Sequence, residues 1–128
     1  MERPLVLVAE DQPLILLEVE EVLVGAGFEV ETAADGQSAM SAIARHHSQL
    51  RGLVTDVRLG QGPNGWDVAR HARELTPMVA VVYMTGDSDY EWVAYGVPNS
   101  QLIHKPFAHA QLITALTSLL NQAENTEG

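Results

Sequence analysis

Leu5-Val6-Leu7-Val8-Ala9, followed at once by Glu10-Asp11, decides the fold class of this chain. An apolar run with no alternating polar residue makes a strand covered on both faces, and such strands belong to parallel sheets flanked by helices. Behind it comes a segment of helical period that opens on Pro13, suited to a first helical position, and closes on Gly25-Ala26-Gly27. The alternation repeats, with strand-length runs at 28–33, 53–55, 79–84 and 101–104 separated by helical stretches. The chain therefore reads as five βα units, an α/β protein built on a doubly wound five-stranded parallel sheet. The second run differs: Phe28, Val30 and Thr32 alternate with Glu29 and Glu31, the pattern of a half-exposed edge strand outside the first.

Working outward, Asp35, Asn64 and Asp87 stand where they can cap the second, third and fourth helices. The fifth helix is expected after Pro106, running to about Leu120 on the apolar positions Leu112, Ile113, Leu116, Leu119 and Leu120. The polar residues 122–128 read as a frayed tail, so the domain is expected to span 1–121.

Composition narrows the function. The 128 residues carry a formal charge of −10, with one lysine and six arginines against 17 carboxylates. Phosphate-backbone binding needs clustered cations, so direct nucleic acid binding is not expected. The absence of cysteine rules out a disulfide framework and thiol chemistry. No apolar run approaches the roughly 18 residues of a membrane span, and Glu10-Asp11 interrupts the first run before it reaches signal-peptide length. A cytoplasmic protein with no membrane partner is the expectation.

In a doubly wound sheet, ligands bind outside the carboxyl ends of the strands. The runs end in Glu10-Asp11, in Asp56, in Thr85-Gly86 and in Lys105-Pro106, which delivers three carboxylates, a hydroxyl and the only lysine to one edge. Converging carboxylates repel unless a cation compensates them. Magnesium, which takes oxygen ligands and keeps several waters, answers that need, and the ammonium adds a point charge. A carboxylate nucleophile, a metal, a hydroxyl and an ammonium suit phosphoryl transfer, where catalysis is mostly positioning and charge neutralisation. Each residue alone has a plainer reading, since a strand-end Asp often caps a helix and Lys-Pro can be only a turn.

The ordered set Val8-Ala9-Glu10-Asp11, Thr55-Asp56, Met84-Thr85-Gly86 and Lys105-Pro106-Phe107 resembles the receiver domain of bacterial two-component response regulators, over nearly the whole chain. The resemblance implies a flavodoxin-like (βα)5 fold with strand order 2-1-3-4-5. It implies Asp56 as phosphoacceptor, Mg²⁺ held by Asp11 and Asp56 with the Arg58 backbone carbonyl and with Glu10 through water, and Lys105 on a phosphoryl oxygen. Thr85 would move toward the phosphoryl group, and the Lys105–Pro106 bond would be cis. The implied donor is a sensor histidine kinase or a histidine phosphotransfer protein, and the implied output is an unidentified downstream protein meeting the surface of helix 4, strand 5 and helix 5. The chain would phosphorylate itself from its donor and turn over no external substrate. A short polar segment after the fifth helix fits a stand-alone receiver or the receiver segment of a hybrid kinase.

Departures from the family pattern matter as much. The loop Val57-Arg58-Leu59-Gly60-Gln61-Gly62-Pro63-Asn64-Gly65 is longer than the usual version and rich in glycine, and Leu102 stands where the family has a Tyr or Phe that couples to the threonine. A phosphorylation-independent binding module is the alternative these departures leave open. A dehalogenase-type phosphatase is a weaker one, because its general acid would stand at the position of Arg58. Arg58 and Asp87 are expected to pair across the site mouth and shield an acyl phosphate, or else to be unrelated surface charges. Trp66, Tyr90, Trp92 and Tyr95 read as core residues or as a partner patch near helix 4. The five histidines show no zinc-like spacing.

Overall fold

A computed structural model describes residues 3–87 and 89–127. Strands and helices alternate: β1 (Leu5–Ala9), α1 (Pro13–Gly25), β2 (Glu29–Ala33), α2 (Gly36–His46), β3 (Leu50–Asp56), α3 (Gly65–Leu75), β4 (Ala80–Thr85), α4 (Asp89–Tyr95), β5 (Ser100–His104) and α5 (His109–Glu127). All neighbouring strands pair in parallel, in the order β2-β1-β3-β4-β5. The alternating run is indeed the edge strand beside β1, with Glu29 and Thr32 exposed.

Because successive side chains of a strand point to opposite faces, each strand feeds two cores. Leu5, Leu7, Leu53, Val81 and Tyr83 pack with Ala39, Ala42 and Ile43 of α2 and Trp66, Val68, Ala69 and Ala72 of α3. Val6, Val8, Val54, Val82 and Met84 pack with Val19 and Leu23 of α1 and Leu112, Leu116 and Leu119 of α5. Nearly continuous apolar strands are the direct consequence.

Local signals set the joints. Pro13 opens α1. Gly27, at φ 99°, closes it, with the Phe28 N–H donating to the Leu23 carbonyl (3.0 Å) and the Gly27 N–H to that of Val24 (3.1 Å). This is a Schellman ending, in which glycine takes the left-handed conformation cheaply. Asp35 caps α2 through the Ser38 N–H (2.7 Å), and Asn64 caps α3 in a reciprocal box with Asp67. α4 opens at Asp89, and the position before it lies outside the described residues, as does the capping expected of Asp87; the Asp87 carboxylate pairs with Arg58.

Two elements are longer than their apolar runs. β3 starts at Leu50, where Arg51 is an extra residue that shifts the register between Leu5 and Val6; buried Leu50 pairs with Leu5, and Gly52 packs close to Val6 and Leu116. α5 continues past Leu120 to Glu127, because the apolar period marks the buried face of a helix and not its backbone end; Arg51 pairs with Glu124 on this extension (3.4 Å). Among the described residues no helix is long and apolar enough to cross a membrane.

The aromatics divide between core and surface. Trp66 is buried with its ring 4.6 Å from that of Tyr83, and Trp92 is half-buried and donates to the Ser100 hydroxyl (2.9 Å). Tyr90 and Tyr95 on α4 are exposed, as is Val93. Arg73 of α3 fixes the turn before β5 by donating to the carbonyls of Val79 (2.9 Å), Pro98 (2.6 Å) and Asn99 (3.2 Å).

Tyr83 supplies a stability test. Its hydroxyl accepts the buried Val97 N–H at 3.1 Å. Tyr83→Phe strands that donor and is expected to cost about 1–2 kcal/mol, seen as a lower urea midpoint at unchanged m value. An unchanged midpoint would mean that the Val97 amide finds another acceptor.

Candidate functional site

The strand order puts the ends of β1 and β3 side by side, with β4 and β5 following, and each end carries one of the expected groups. Glu10 and Asp11 follow β1, Asp56 ends β3, Thr85 ends β4 and Lys105 follows β5. Neighbouring ends are tied by backbone bonds. The Lys105 N–H donates to the Thr85 carbonyl (2.8 Å), the Val57 N–H to that of Met84 (3.1 Å) and the Glu10 N–H to that of Ala33 (3.1 Å).

One carboxylate oxygen from each of Glu10, Asp11 and Asp56 lies within 4.8 Å of the others. Glu10 is fully buried, Asp56 and Thr85 nearly so, and Asp11 faces solvent. The Lys105 ammonium donates to Glu10 Oε1 at 2.6 Å and to Asp56 Oδ2 at 3.2 Å. The second Glu10 oxygen accepts the Gln12 N–H at 3.1 Å. Lys105 meets both acids, and the shorter contact goes to Glu10. The reason is burial, since an ionised carboxylate without solvent has most need of a cation.

The electrostatics follow from this crowding. Burial and the adjacent Glu10 carboxyl together raise the Asp11 pKa above its ordinary 3.8. Burial works to lower the Lys105 pKa, but the hydrogen bond to Glu10 and the charges of Asp56 and Glu10 outweigh it, and the value is raised. One ammonium against three carboxylates leaves negative charge uncompensated. An all-oxygen donor set of this kind fits a hard divalent cation such as Mg²⁺.

Around this centre, the Thr85 hydroxyl accepts the Asp87 N–H (3.2 Å), and Arg58 Nε pairs with Asp87 Oδ1 at 3.3 Å, both side chains largely exposed. The expected bridge between the β3–α3 and β4–α4 loops is therefore formed. Reasoning from the sequence missed Gly65, the first residue of α3. A Cβ there would stand 2.2 Å from the Asp56 carbonyl oxygen, so only glycine lets α3 start against the backbone of the acidic residue. The Cys-free, His-poor site leaves His46, His47 and His71 elsewhere on helices α2 and α3 or their ends, and His109 pairs with Glu18 at 3.4 Å on the α1 side.

Two substitutions test these charges. Lys105→Met leaves buried Glu10 and Asp56 without their ammonium and is expected to destabilise the fold by about 3 kcal/mol at neutral pH in urea titrations. Asp11 has the opposite sign. A raised carboxyl pKa contributes stability below the ordinary value that is lost as pH rises through the shifted one, so ionised Asp11 weakens the metal-free protein. Asp11→Asn is expected to add about 0.5 kcal/mol after solvent screening, about 2 °C in Tm at neutral pH without Mg²⁺, and nothing in strong acid.

Known proteins share this fold. A response regulator receiver protein from Sinorhizobium medicae WSM419 superposes with a TM-score of 0.92 at 42% sequence identity, over 95% of this chain and 98% of that one. A response regulator receiver domain protein from Clostridium thermocellum gives 0.86 at 22% identity, over 95% and 98%, and speaks for the fold alone. The probable transcriptional regulatory protein TcrX of Mycobacterium tuberculosis is 29% identical over 119 residues, 91% of this chain and 50% of the relative. The DNA-binding response regulator MtrA of Mycolicibacterium smegmatis is 29% identical over 125 residues, 96% and 53%. The chain thus spans about half the length of these two curated relatives. The family described as the response regulator receiver domain matches residues 6–117. That match runs from the first strand into the last helix and takes in every strand end at which the acids, the hydroxyl and the ammonium stand; the chain belongs to the response regulator receiver domains of two-component systems.

Proposed function

We propose that this receiver takes a phosphoryl group from the phosphohistidine of a sensor histidine kinase, or of a histidine phosphotransfer protein, onto Asp56 in the cytoplasm. An Asp56 carboxylate oxygen attacks phosphorus, the new O–P bond replaces the P–N bond of the donor, and the imidazole leaves with its electron pair and takes up a proton. The observation that carries this reading is the convergence of Asp56 with Glu10 and Asp11 within 4.8 Å, with the Lys105 ammonium 3.2 Å from Asp56.

Asp11 and Asp56 would hold Mg²⁺ directly, with Glu10 through water and the Arg58 backbone carbonyl completing the protein's share. Bound there, the cation would neutralise charge on the phosphoryl oxygens. Lys105 would exchange its Asp56 contact for a phosphoryl oxygen while keeping Glu10. Thr85 would turn its hydroxyl from the Asp87 amide toward the phosphoryl group and so alter the backbone leading into α4. The surface of α4, β5 and α5 would then present itself to a downstream protein, and slow hydrolysis would reset the switch. Family membership places the chain among signalling domains rather than enzymes with an external substrate. A phosphorylation-independent binding module is the second reading, and Leu102, in place of the aromatic switch residue, is what favours it.

Intact-mass measurement after incubation with Mg²⁺ and acetyl phosphate separates the two. A single phosphoryl adduct is expected, absent in Asp56→Asn and after chelation of Mg²⁺. No adduct from acetyl phosphate or from any candidate kinase would decide for the second reading.

The exposed Arg58–Asp87 pair generates a further expectation. Arg58→Ala or Asp87→Ala should shorten the lifetime of the adduct about twofold to fivefold, the kinetic equivalent of losing up to about 1 kcal/mol of shielding. Equal lifetimes in variants and wild type would reduce the pair to surface charges.

A further inference from the structure

The junction of β2 and α2 brings no reactive group to the site, yet it touches both acidic arms. On one side, the Ala33 carbonyl at the end of β2 accepts the Glu10 N–H at 3.1 Å, which ties down the arm carrying Glu10 and Asp11. On the other, Gly36 at the start of α2 is buried beneath the long loop after β3. A Cβ on Gly36 would stand 2.0 Å from the Pro63 carbonyl oxygen, 2.8 Å from its carbonyl carbon and 2.9 Å from its Cβ. The loop backbone thus rests on the one residue that has no side chain to hold it away. The seat is rigid, because Asp35 caps this turn through Ser38, and those hydrogen bonds keep the Asp35 carboxyl below its ordinary pKa.

The loop itself is pinned at its ends. Leu59 is buried in the α2/α3 core, and the Gly65 N–H donates to the Val57 carbonyl at 2.8 Å. Between these points the chain turns through Gly60 (φ 77°) and Gly62 (φ 89°). Gly60 is thereby carried over the carboxylates, where a Cβ would come within 3.9 Å of Asp11 Oδ2. With Pro63 seated, Gly60 lies over Asp11. A residue larger than glycine at 36 must lift Pro63, and the loop between two fixed ends can only move as a strap.

We propose that Gly36 is a positioning residue for the metal site: it seats Pro63, and through the strap it sets the distance between the β3–α3 loop and the Asp11 carboxylate. The proposal rests on the reading of Glu10, Asp11 and Asp56 as a Mg²⁺ site. Gly36 touches no ligand, so its effect belongs to the affinity for the cation rather than to the chemistry at Asp56.

The test is a Mg²⁺ titration of the full chain followed by the amide resonances of Asp11 and Val57, which needs no phosphodonor. Gly36→Ala is expected to raise the Mg²⁺ midpoint about tenfold, the usual cost of disturbing the groups that support metal ligands. Its rate of phosphorylation at saturating Mg²⁺ should match wild type. Gln37→Ala, on the exposed side of the same turn, should leave the midpoint unchanged. Should Gly36→Ala fail to fold, Gly60→Ala disturbs the strap from the other end and must show the same rise. A wild-type midpoint in a folded Gly36→Ala, or in Gly60→Ala where that variant decides, overturns the strap alone. A wild-type chain that takes up no Mg²⁺ overturns the metal-site reading and the strap together.

Discussion

A buried carboxylate with one available ammonium is the constraint on which the rest of this molecule depends. Glu10 has no solvent of its own, and Lys105 reaches it at 2.6 Å. Two such charges about 4 Å apart attract by about 4 kcal/mol at an effective dielectric near 20, and desolvation offsets much of that gain. The pair is therefore no great source of stability; it is a condition the fold has to meet. Meeting it requires β1 and β5 to end at the same edge of the sheet, although two strands lie between them. A parallel sheet with every strand running the same way is the arrangement that satisfies it, and Asp56 and Thr85 then fall between the two charges.

The same edge shows why the interior has to be so uniformly apolar. Every hydrogen-bonding and charged group of the site stands at or beyond the carboxyl ends of the strands, leaving the body of the sheet to two packed cores of alternating side chains. A rigid sheet holds strand ends to within small displacements, and that precision is what phosphoryl chemistry asks of a protein that contributes mainly charge and position. Where loops must approach the site closely, the chain uses glycine. Gly65 lets α3 begin against the Asp56 carbonyl, and Gly36 lets the long loop rest on α2.

Fold and site were legible in the sequence to different depths. The apolar runs revealed the strands because burial on both faces leaves no polar residue to interrupt them, and the acids, hydroxyl and lysine at their ends revealed the site. β3 was read short because Arg51 and Gly52 break its run, while the register shift that accommodates Arg51 leaves no mark in the apolar pattern. α5 was read short for the converse reason, that a polar turn of helix carries no apolar period. The preference of Lys105 for Glu10 was not legible, since it depends on how deeply each acid is buried. The roles of Gly36 and Gly65 were hidden as well. A glycine at a helix start looks the same in sequence whether it meets solvent or the backbone of another element.

How a change at Thr85 would leave the site follows from the same geometry. An aromatic side chain at 102 would offer a ring able to exchange between two positions, and Leu102, half-buried against the α2/α3 core, offers none. The aromatic here is its cross-strand partner, Tyr83 on β4. That ring is held by the tilted Trp66 ring against it and at its hydroxyl by the Val97 N–H, so moving it would break a buried hydrogen bond and a close aromatic contact. The far end of α4 is likewise held, with Arg70 donating to the Tyr95 carbonyl at 3.4 Å. Toward the site, the Asp87 N–H donates to the Thr85 hydroxyl and the Asp87 carboxylate pairs with exposed Arg58. A change at the Thr85 hydroxyl would therefore act first on the Asp87 backbone it accepts from, and not on an aromatic ring at position 102.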